Sequence, residues 1–322
     1  MINYTECDLE AIRILDDFLP ERIFDAHMHV SPYPFGGAER FGIDDYVKDT
    51  APIFSSRHVR CAALLAPTNE LKTKEGTEGA VGFLWDQLDY FPDSVGAVMV
   101  KPQDTHDDIA KMAAHSRVKA LKCYHKFTKR ENTAYADVHE YLSDEALSFA
   151  NERKMAVVLH LVKDAALADR ENMKEIKRIS REYPDLKLVL VHSARAFAAW
   201  TAIESVEELI PYENVFFDFS AICESPSITA ILSRIGTSRC AWGSDYNVSA
   251  RPGKAISLGD GFYWINERDL SHFGNGSPIR ARHIITENLM ALREACLLLG
   301  LSAREVERIF YDNAVRIFRA DE

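Results

Sequence analysis

The chain has 322 residues, 47% of them hydrophobic, and a formal net charge of −11 at pH 7. That length and apolar content support a large buried core, as one big α/β domain or two smaller ones. The negative charge, with no basic run to offset it, argues against a nucleic-acid groove or an anionic membrane surface as the main partner, and no window approaches the ~18 apolar residues of a membrane helix.

The N-terminal MINYTECDLEAIRILDDFLP is acidic and has no basic leader followed by an apolar stretch, so it does not read as a signal peptide. Leu9, Ile12, Ile14, Leu15, Phe18 and Leu19 predict a short amphipathic helix within residues 1–20. The six cysteines (Cys7, Cys61, Cys123, Cys223, Cys240 and Cys296) are scattered and form no C-x-x-C pair. They read as reduced thiols of a cytoplasmic protein rather than as a zinc ribbon.

Short apolar runs follow in order: RIFDAHMHV, VRCAALLAPT, VGAVMVKP, VKALKCYH, MAVVLHLV, LKLVLVHS, NVFFDFSA and RCAWGSD, eight candidate strands. Between several of them lie amphipathic helices. Residues 138–153 place Val138, Tyr141, Leu142, Ala146, Phe149 and Ala150 on one stripe. The segment after Met173 repeats the pattern with Ile176 and Ile179 and stops at Tyr183-Pro184. Alternation of strands and helices implies parallel pairing, and eight such strands predict a (β/α)8 TIM barrel. An open doubly wound sheet is the alternative, but no G-x-G-x-x-G or P-loop follows any strand. No linker divides the chain, so one domain over 1–322 is expected, with a closing helix at 302–319.

Two irregular stretches interrupt this order. One is SPYPFGGAERFG, after the first strand. The other, residues 246–283, mixes Gly253, Gly259, Gly261, Gly274 and Gly276 with Phe262, Tyr263 and Trp264. Loops of that length are usually functional or disordered. Both follow strand C-termini, where barrel enzymes build their sites, and the aromatics of the second suit a lid or pocket wall. The alternative is a surface excursion packed on itself.

Side chains alternate faces along a strand, so His27 and His29 point the same way. Asp25 is expected to share their face, deeper in the barrel, bonded to an imidazole or the backbone. Ala26, Met28 and Val30 should face the helices. His160, His192 and Asp245 each end another apolar run. Taken singly, a strand-terminal histidine often only caps a backbone group. Together, these side chains at strand ends of one barrel converge, and three imidazoles with a carboxylate fit a divalent ion such as zinc with one position left for water. His58, His106, His115, His139, His272 and His283 default to solvated or locally hydrogen-bonded roles. On the fourth strand, an outward Leu121 would turn Lys122 inward and His125 away. Lys122 then has three roles open to it: a carbamate bridging a second metal, a contact to an anionic substrate group, or a partner for an internal carboxylate.

These motifs resemble the amidohydrolase superfamily, specifically the amidohydrolase-2 (amidohydrolase-related) family of metal-dependent barrel hydrolases and decarboxylases. FDAHMHV looks like the family's first-strand H-x-H. ALKCYHKF and VVLH look like its fourth-strand lysine and fifth-strand histidine, and LVLVHS like its sixth-strand histidine. NVFFDFSA and AWGSDYN resemble the seventh and eighth strands, and VERIFYDNAVRIF the C-terminal helix with its Asn313-Ala314 pair. The resemblance implies that His27, His29, His160 and Asp245 are metal ligands, with His192 at the reacting water or substrate. It implies zinc, or manganese or another divalent ion, with one ion per chain expected. There are two departures. Many relatives carry a glycine pair after the sixth-strand histidine, whereas this chain reads His192-Ser193-Ala194-Arg195, so Arg195 either holds a substrate carboxylate or phosphate or sits exposed. Asn247 stands where a proline commonly follows the Asp-Tyr pair.

The expected activity is hydrolysis of an amide, ester or lactone in a small anionic substrate. Asp245 would handle the proton of water, and His192 would hold the water or the developing oxyanion. Non-oxidative decarboxylation is the alternative. Many family decarboxylases of phenolic acids look as if they carry Glu-x-His in the first strand, which tilts the reading of His-x-His toward hydrolysis. A catalytically silent metal-binding barrel is the third reading, disfavoured because all five site residues are present. A homo-oligomer remains open.

Overall fold

The computed structural model describes residues 2–266, 269 and 280–321. All eight apolar runs form strands: β1 (Arg22–Val30), β2 (His58–Leu65), β3 (Val95–Met99), β4 (Val118–Cys123), β5 (Ala156–Leu159), β6 (Lys187–Leu190), β7 (Val215–Asp218) and β8 (Cys240–Ala241). They pair in parallel, in chain order, within one sheet. The sheet curls back on itself where the chain past β8 meets β1. Ala26 N–H donates to Trp242 O (3.0 Å), Asp245 N–H to His27 O (2.7 Å) and His29 N–H to Tyr246 O (2.5 Å). The result is a nearly closed (β/α)8 barrel. Outside it lie α1 (Glu6–Asp16), α2 (Ile43–Phe54), α3 (Lys74–Tyr90), α4 (His106–Met112), α5 (Asp144–Glu152), α6 (Arg170–Glu182), α7 (Ala199–Ile203), α8 (Ser225–Ile235), α9 (Ile284–Leu298), α10 (Ala303–Glu307) and α11 (Asn313–Phe318). Among the described residues no helix is long and apolar enough to cross a membrane.

Several helices depart from the sequence periodicity for local reasons. The stripe over 138–153 opens as a single 3-10 turn at Val138–Glu140. α5 starts only at Asp144, where the Ser143 side chain caps it by accepting from Ala146 N–H. In α1 the buried stripe is Cys7, Ala11 and Leu15, and Leu9 and Ile14 stay exposed. The stretch expected as one helix over 302–319 is broken by a π-turn at Arg308–Asp312. That turn frees Ile309 O to accept Trp242 N–H at 3.0 Å, which ties β8 to the C-terminal region.

The barrel interior is lined largely by small residues, Ala26, Ala62, Ala97, Ala120, Ala156 and Ala241, with Leu64, Val158, Val189 and Phe24. Phe318 of α11 stacks on Phe24 with ring centroids 6.0 Å apart, and together with Ile317 it closes this layer. β1 does not alternate throughout. Asp25 pairs with Cys61 and Met28 with Ala63, so three steps on β1 match two on β2. This bulge corrects two expectations. Ala26 joins the interior layer with His27 following it, while Asp25 turns away from the histidines toward Tyr46 and Cys61. There, Asp25 Oδ1 accepts from His27 N–H (3.0 Å) and Ser244 N–H (2.9 Å), and burial pushes its carboxyl up to about 7.

Candidate metal centre and pocket

Three donor atoms meet where β1 ends and the chain leaves β8. His27 Nε2 lies 3.4 Å from His29 Nε2, His29 Nε2 lies 3.3 Å from Asp245 Oδ1, and His27 Nε2 lies 3.6 Å from Asp245 Oδ1. All three residues are buried. Bonds of about 2.0–2.2 Å to a tetrahedral ion put neighbouring donor atoms roughly 3.3–3.6 Å apart, so the spacing and the N, N, O donor set fit a divalent cation. The rings are prepared for that role. His27 Nδ1 stands 2.6 Å from Asp218 Oδ2, which assigns the ring proton to Nδ1 and leaves the Nε2 lone pair facing the cluster. Burial, and then Lys122, push the His27 pKa well down, and burial lowers that of His29, so the protonated form of both imidazoles is disfavoured. Burial by itself would raise the Asp245 carboxyl, but His192, His29 and His27 outweigh it and hold it at about 2.

The Gly243-Ser244-Asp245 turn explains its own residues. A Cβ on Gly243 would sit 2.7 Å from His27 Cβ, so only glycine permits this approach of the two strands. Ser244 Oγ accepts Tyr246 N–H at 3.0 Å, and Asp245 takes a left-handed φ of 57° that aims its carboxylate inward.

The remaining sequence candidates surround this cluster at different distances. Lys122 is fully buried, with Nζ 3.4 Å from His27 Nε2, and burial lowers its amine to about 8 despite the attraction of Asp218 and Asp245. The His192 ring stacks on His27 at 5.4 Å, and its Nδ1 lies 2.8 Å from Ser220 O, which assigns the proton to Nδ1 and leaves Nε2 an acceptor. His160 stands off from the three-atom cluster. Its ring lies 4.6 Å from Tyr124 and 5.4 Å from His192, and its buried Nδ1 has no hydrogen-bond partner among the described residues. His125 corrects an expectation: β4 ends at Cys123, and the 3-10 turn at His125–Phe127 brings its ring to the pocket instead of away from it.

After β6, His192, Ser193, Ala194 and Arg195 all have positive φ (51°, 48°, 61° and 63°), a left-handed turn without a glycine. Each such residue costs about 1–2 kcal/mol, so the surroundings must hold it. They do so through Ser193 Oγ–H to Asp218 O (3.0 Å), Arg195 N–H to Val191 O (3.2 Å) and the His192–Ser220 contact. The turn brings Arg195 into the same cavity as His192. There Arg195 Nη1 donates to Lys163 O at 3.0 Å, the guanidinium lies 5.0 Å over the Phe262 ring, and no carboxylate among the described residues forms an ion pair with it.

The cavity measures about 480 Å³. The cluster forms its floor, with Lys122, His160 and His192. The expected lid over 246–283 is partly regular structure: β9 (Gly253–Leu258) and β10 (Gly261–Asn266) form an antiparallel hairpin. Phe262 and Trp264 pack on Phe197 at 4.8 and 5.1 Å and line the cavity, while the intervening Tyr263 is 50% exposed. His272, Gly274 and Gly276 lie outside the described residues. From the other irregular stretch, Phe35 approaches the His29 ring at 5.6 Å, held by Asn247 Nδ2–H to Phe35 O at 3.0 Å. Asn247 thus acts as a clamp between the two excursions.

Asp218 and Ser220 escaped the sequence reading. Both touch His27 Nδ1, at 2.6 and 3.1 Å, and both are fully buried. The alternation argument applied to the first strand would have found Asp218, because Phe216 and Asp218 share the inner face of β7.

A family model described as Amidohydrolase matches residues 24–320. No curated protein matches the chain in sequence. Among solved structures, an amidohydrolase from Burkholderia multivorans with bound zinc is 14% identical with a TM-score of 0.62, over 92% of this chain and 99% of that one. A putative 2-pyrone-4,6-dicarboxylic acid hydrolase from Pseudomonas putida is 17% identical with a TM-score of 0.58, over 94% and 100%. A 5-carboxyvanillate decarboxylase from Novosphingobium aromaticivorans with bound manganese is 14% identical with a TM-score of 0.54, over 85% and 80%. Likenesses at such identities speak for the fold. The family match, running from Phe24 to Ala320, carries the assignment: the chain belongs to the amidohydrolase family of metal-dependent enzymes.

Proposed function

We propose that this protein is a metal-dependent hydrolase that cleaves an amide, ester or lactone carbonyl of a small anionic substrate. The observation that carries the reading is the trio of donor atoms 3.3–3.6 Å apart at the floor of the cavity, from two imidazoles and a carboxylate. His27, His29, His160 and Asp245 would hold one divalent ion, with zinc the first candidate and manganese the next. When bound, the ion supplies Lewis acidity, which brings the pKa of water to about 7 in well-studied zinc sites. The chain's own groups supply the proton handling. Asp245, ionised at neutral pH, would take the proton of the attacking water and return it to the leaving nitrogen or oxygen. His192, with Nδ1–H committed to Ser220 O, offers Nε2 as an acceptor, which favours holding water over stabilising an oxyanion. Lys122 and Arg195 would bind the substrate's anionic group, and Phe197, Phe262 and Trp264 would exclude water from its apolar part. The likeness in fold to the putative 2-pyrone-4,6-dicarboxylic acid hydrolase supports this reading.

Decarboxylation is the second reading, supported by the likeness to the manganese-bound decarboxylase. In it, a protonated side chain of the site would deliver a proton to carbon as carbon dioxide leaves. Incubation of the zinc- or manganese-loaded protein with a panel of lactones, esters and aromatic carboxylates separates the two. Metal-dependent carbonyl cleavage without gas supports the first reading. Carbon dioxide release without hydrolysis replaces it with the second.

A further inference from the structure

The family match begins at residue 24, yet the segment ahead of it is bonded to the substrate pocket's outer frame. In the capping box of α1, Thr5 N–H and Oγ–H lie 2.8 and 2.7 Å from Asp8 Oδ2. The same buried carboxylate also receives His283. Its Oδ1 accepts His283 N–H at 2.9 Å, and its Oδ2 lies 2.8 Å from His283 Nδ1. Around this pair, Thr5 Oγ1 lies 3.0 Å from Ala281 O, Cys7 O accepts from Arg282 Nε at 3.4 Å, and Glu10 pairs with Arg280 at 3.1 Å. His283, expected from sequence to be solvated or locally bonded, is thus buried against a partner 275 positions away.

His283 in turn belongs to the base of the hairpin. Gly253 N–H donates to Arg282 O and Ile284 N–H to Arg251 O, each at 3.0 Å, so residues 251–253 and 282–284 are stitched together. Pro252 and Ile284 line the cavity, and β9 begins at Gly253. The first foot of the excursion is braced from the same segment. Tyr4 Oη–H donates to Asp49 O at 2.8 Å, and Asp49 Oδ2 accepts from Tyr246 Oη–H at 3.0 Å, one residue past Asp245.

We propose that the N-terminal segment is a positioning element of the pocket: Asp8 acting through His283, and Tyr4 acting through Asp49, hold the two feet of the 246–283 excursion and so set where Phe262, Trp264 and Ile284 face the metal cluster. The proposal goes beyond the reaction argued above and holds for hydrolysis and decarboxylation alike. Asp8 and Tyr4 touch neither substrate nor metal, so their effect must appear in the wall and not in the floor.

Peptide-resolved hydrogen exchange on the full-length, zinc-loaded protein tests this. In Asp8→Ala, amides of residues 253–266 should exchange about tenfold faster or more, because an opened foot frees the hairpin, while strands β2–β6 and zinc affinity change less than about twofold. Asp8→Asn keeps an acceptor for His283 N–H and should restore much of the protection. Glu10→Ala, which removes only an exposed ion pair, should leave exchange unchanged. Unchanged exchange over 253–266 in Asp8→Ala overturns the proposal. So does equal acceleration in β2–β6, which would make Asp8 a general stabiliser. Should Asp8→Ala fail to fold, His283→Gln and Thr5→Val release the same foot and are read by the same pattern.

Discussion

The floor and the wall of this pocket are held by different means. On the floor, His27, Asp218, Ser220 and His192 form one connected hydrogen-bonded set on the ends of barrel strands, and Gly243 lets two strands approach at His27. On the wall, Phe197, Phe262 and Trp264 meet through ring contacts and hang from a left-handed turn and a hairpin whose base is stitched to residues 282–284, where Asp8 of α1 accepts His283 N–H. The floor falls within the family-matched region and specifies chemistry. The wall takes its support partly from residues ahead of that region, and under the proposed function its cationic and aromatic groups would select what enters. Changes to the floor should therefore abolish reaction, and changes to the wall should alter selection.

The largest effect is expected on the floor. Replacing both His27 and His29 by alanine should lower turnover about 10³-fold or more, equivalent to about 4 kcal/mol of barrier, in an assay with saturating zinc. Asp218→Asn leaves the candidate ligands in place but removes the carboxylate that orients His27. Metal affinity should fall about 10–100-fold, measured by competition with a chelating dye. Gly243→Ala places a methyl group against His27 Cβ, and the overpacking should cost about 1–3 kcal/mol in denaturant unfolding. An effect no larger than a surface substitution would mean that the strand contact is not tight.

Changes on the wall should be smaller and more selective. Arg195→Gln should raise KM for an anionic substrate about tenfold or more with little change in kcat, and should leave the KM of its neutral analogue unaltered. Equal losses for both would show that Arg195 serves the turn and not the ligand. The smallest expected effect lies at α1 and depends on pH. Burial alone would raise the Asp8 carboxyl, but the hydrogen bonds of His283 and Thr5 outweigh it and hold it well below the carboxylate range. A carboxyl lowered by folding stabilises above its unfolded pKa of about 4 and loses that contribution as the pH falls further. Unfolding midpoints of wild type and Asp8→Asn should therefore converge below about pH 4 and be furthest apart near neutrality.

Much of the fold was legible because its signals are local. Each strand announces itself as a bounded apolar run, and His160, His192 and Asp245 mark strand ends by following such runs. The β1 bulge was not legible, since no residue between Asp25 and Met28 advertises it, and it moved Asp25 off the face predicted for it. Asp218 was legible by the same alternation used for His27 but was passed over as part of an apolar strand. The hairpin at 253–266 was hidden by its glycines, which read as loop. The bond between Asp8 and His283 joins positions too far apart in the chain for periodicity to register, and only the folded barrel brings them together.

The central claim is that His27, His29 and Asp245 form a metal-binding floor. Equilibrium dialysis with zinc, comparing the wild type with a chain carrying both His27→Ala and His29→Ala, tests it most directly. The account predicts about one tightly held ion per wild-type chain and its loss in the double variant, with the barrel still folded by circular dichroism. Equal zinc uptake by the two proteins would contradict it.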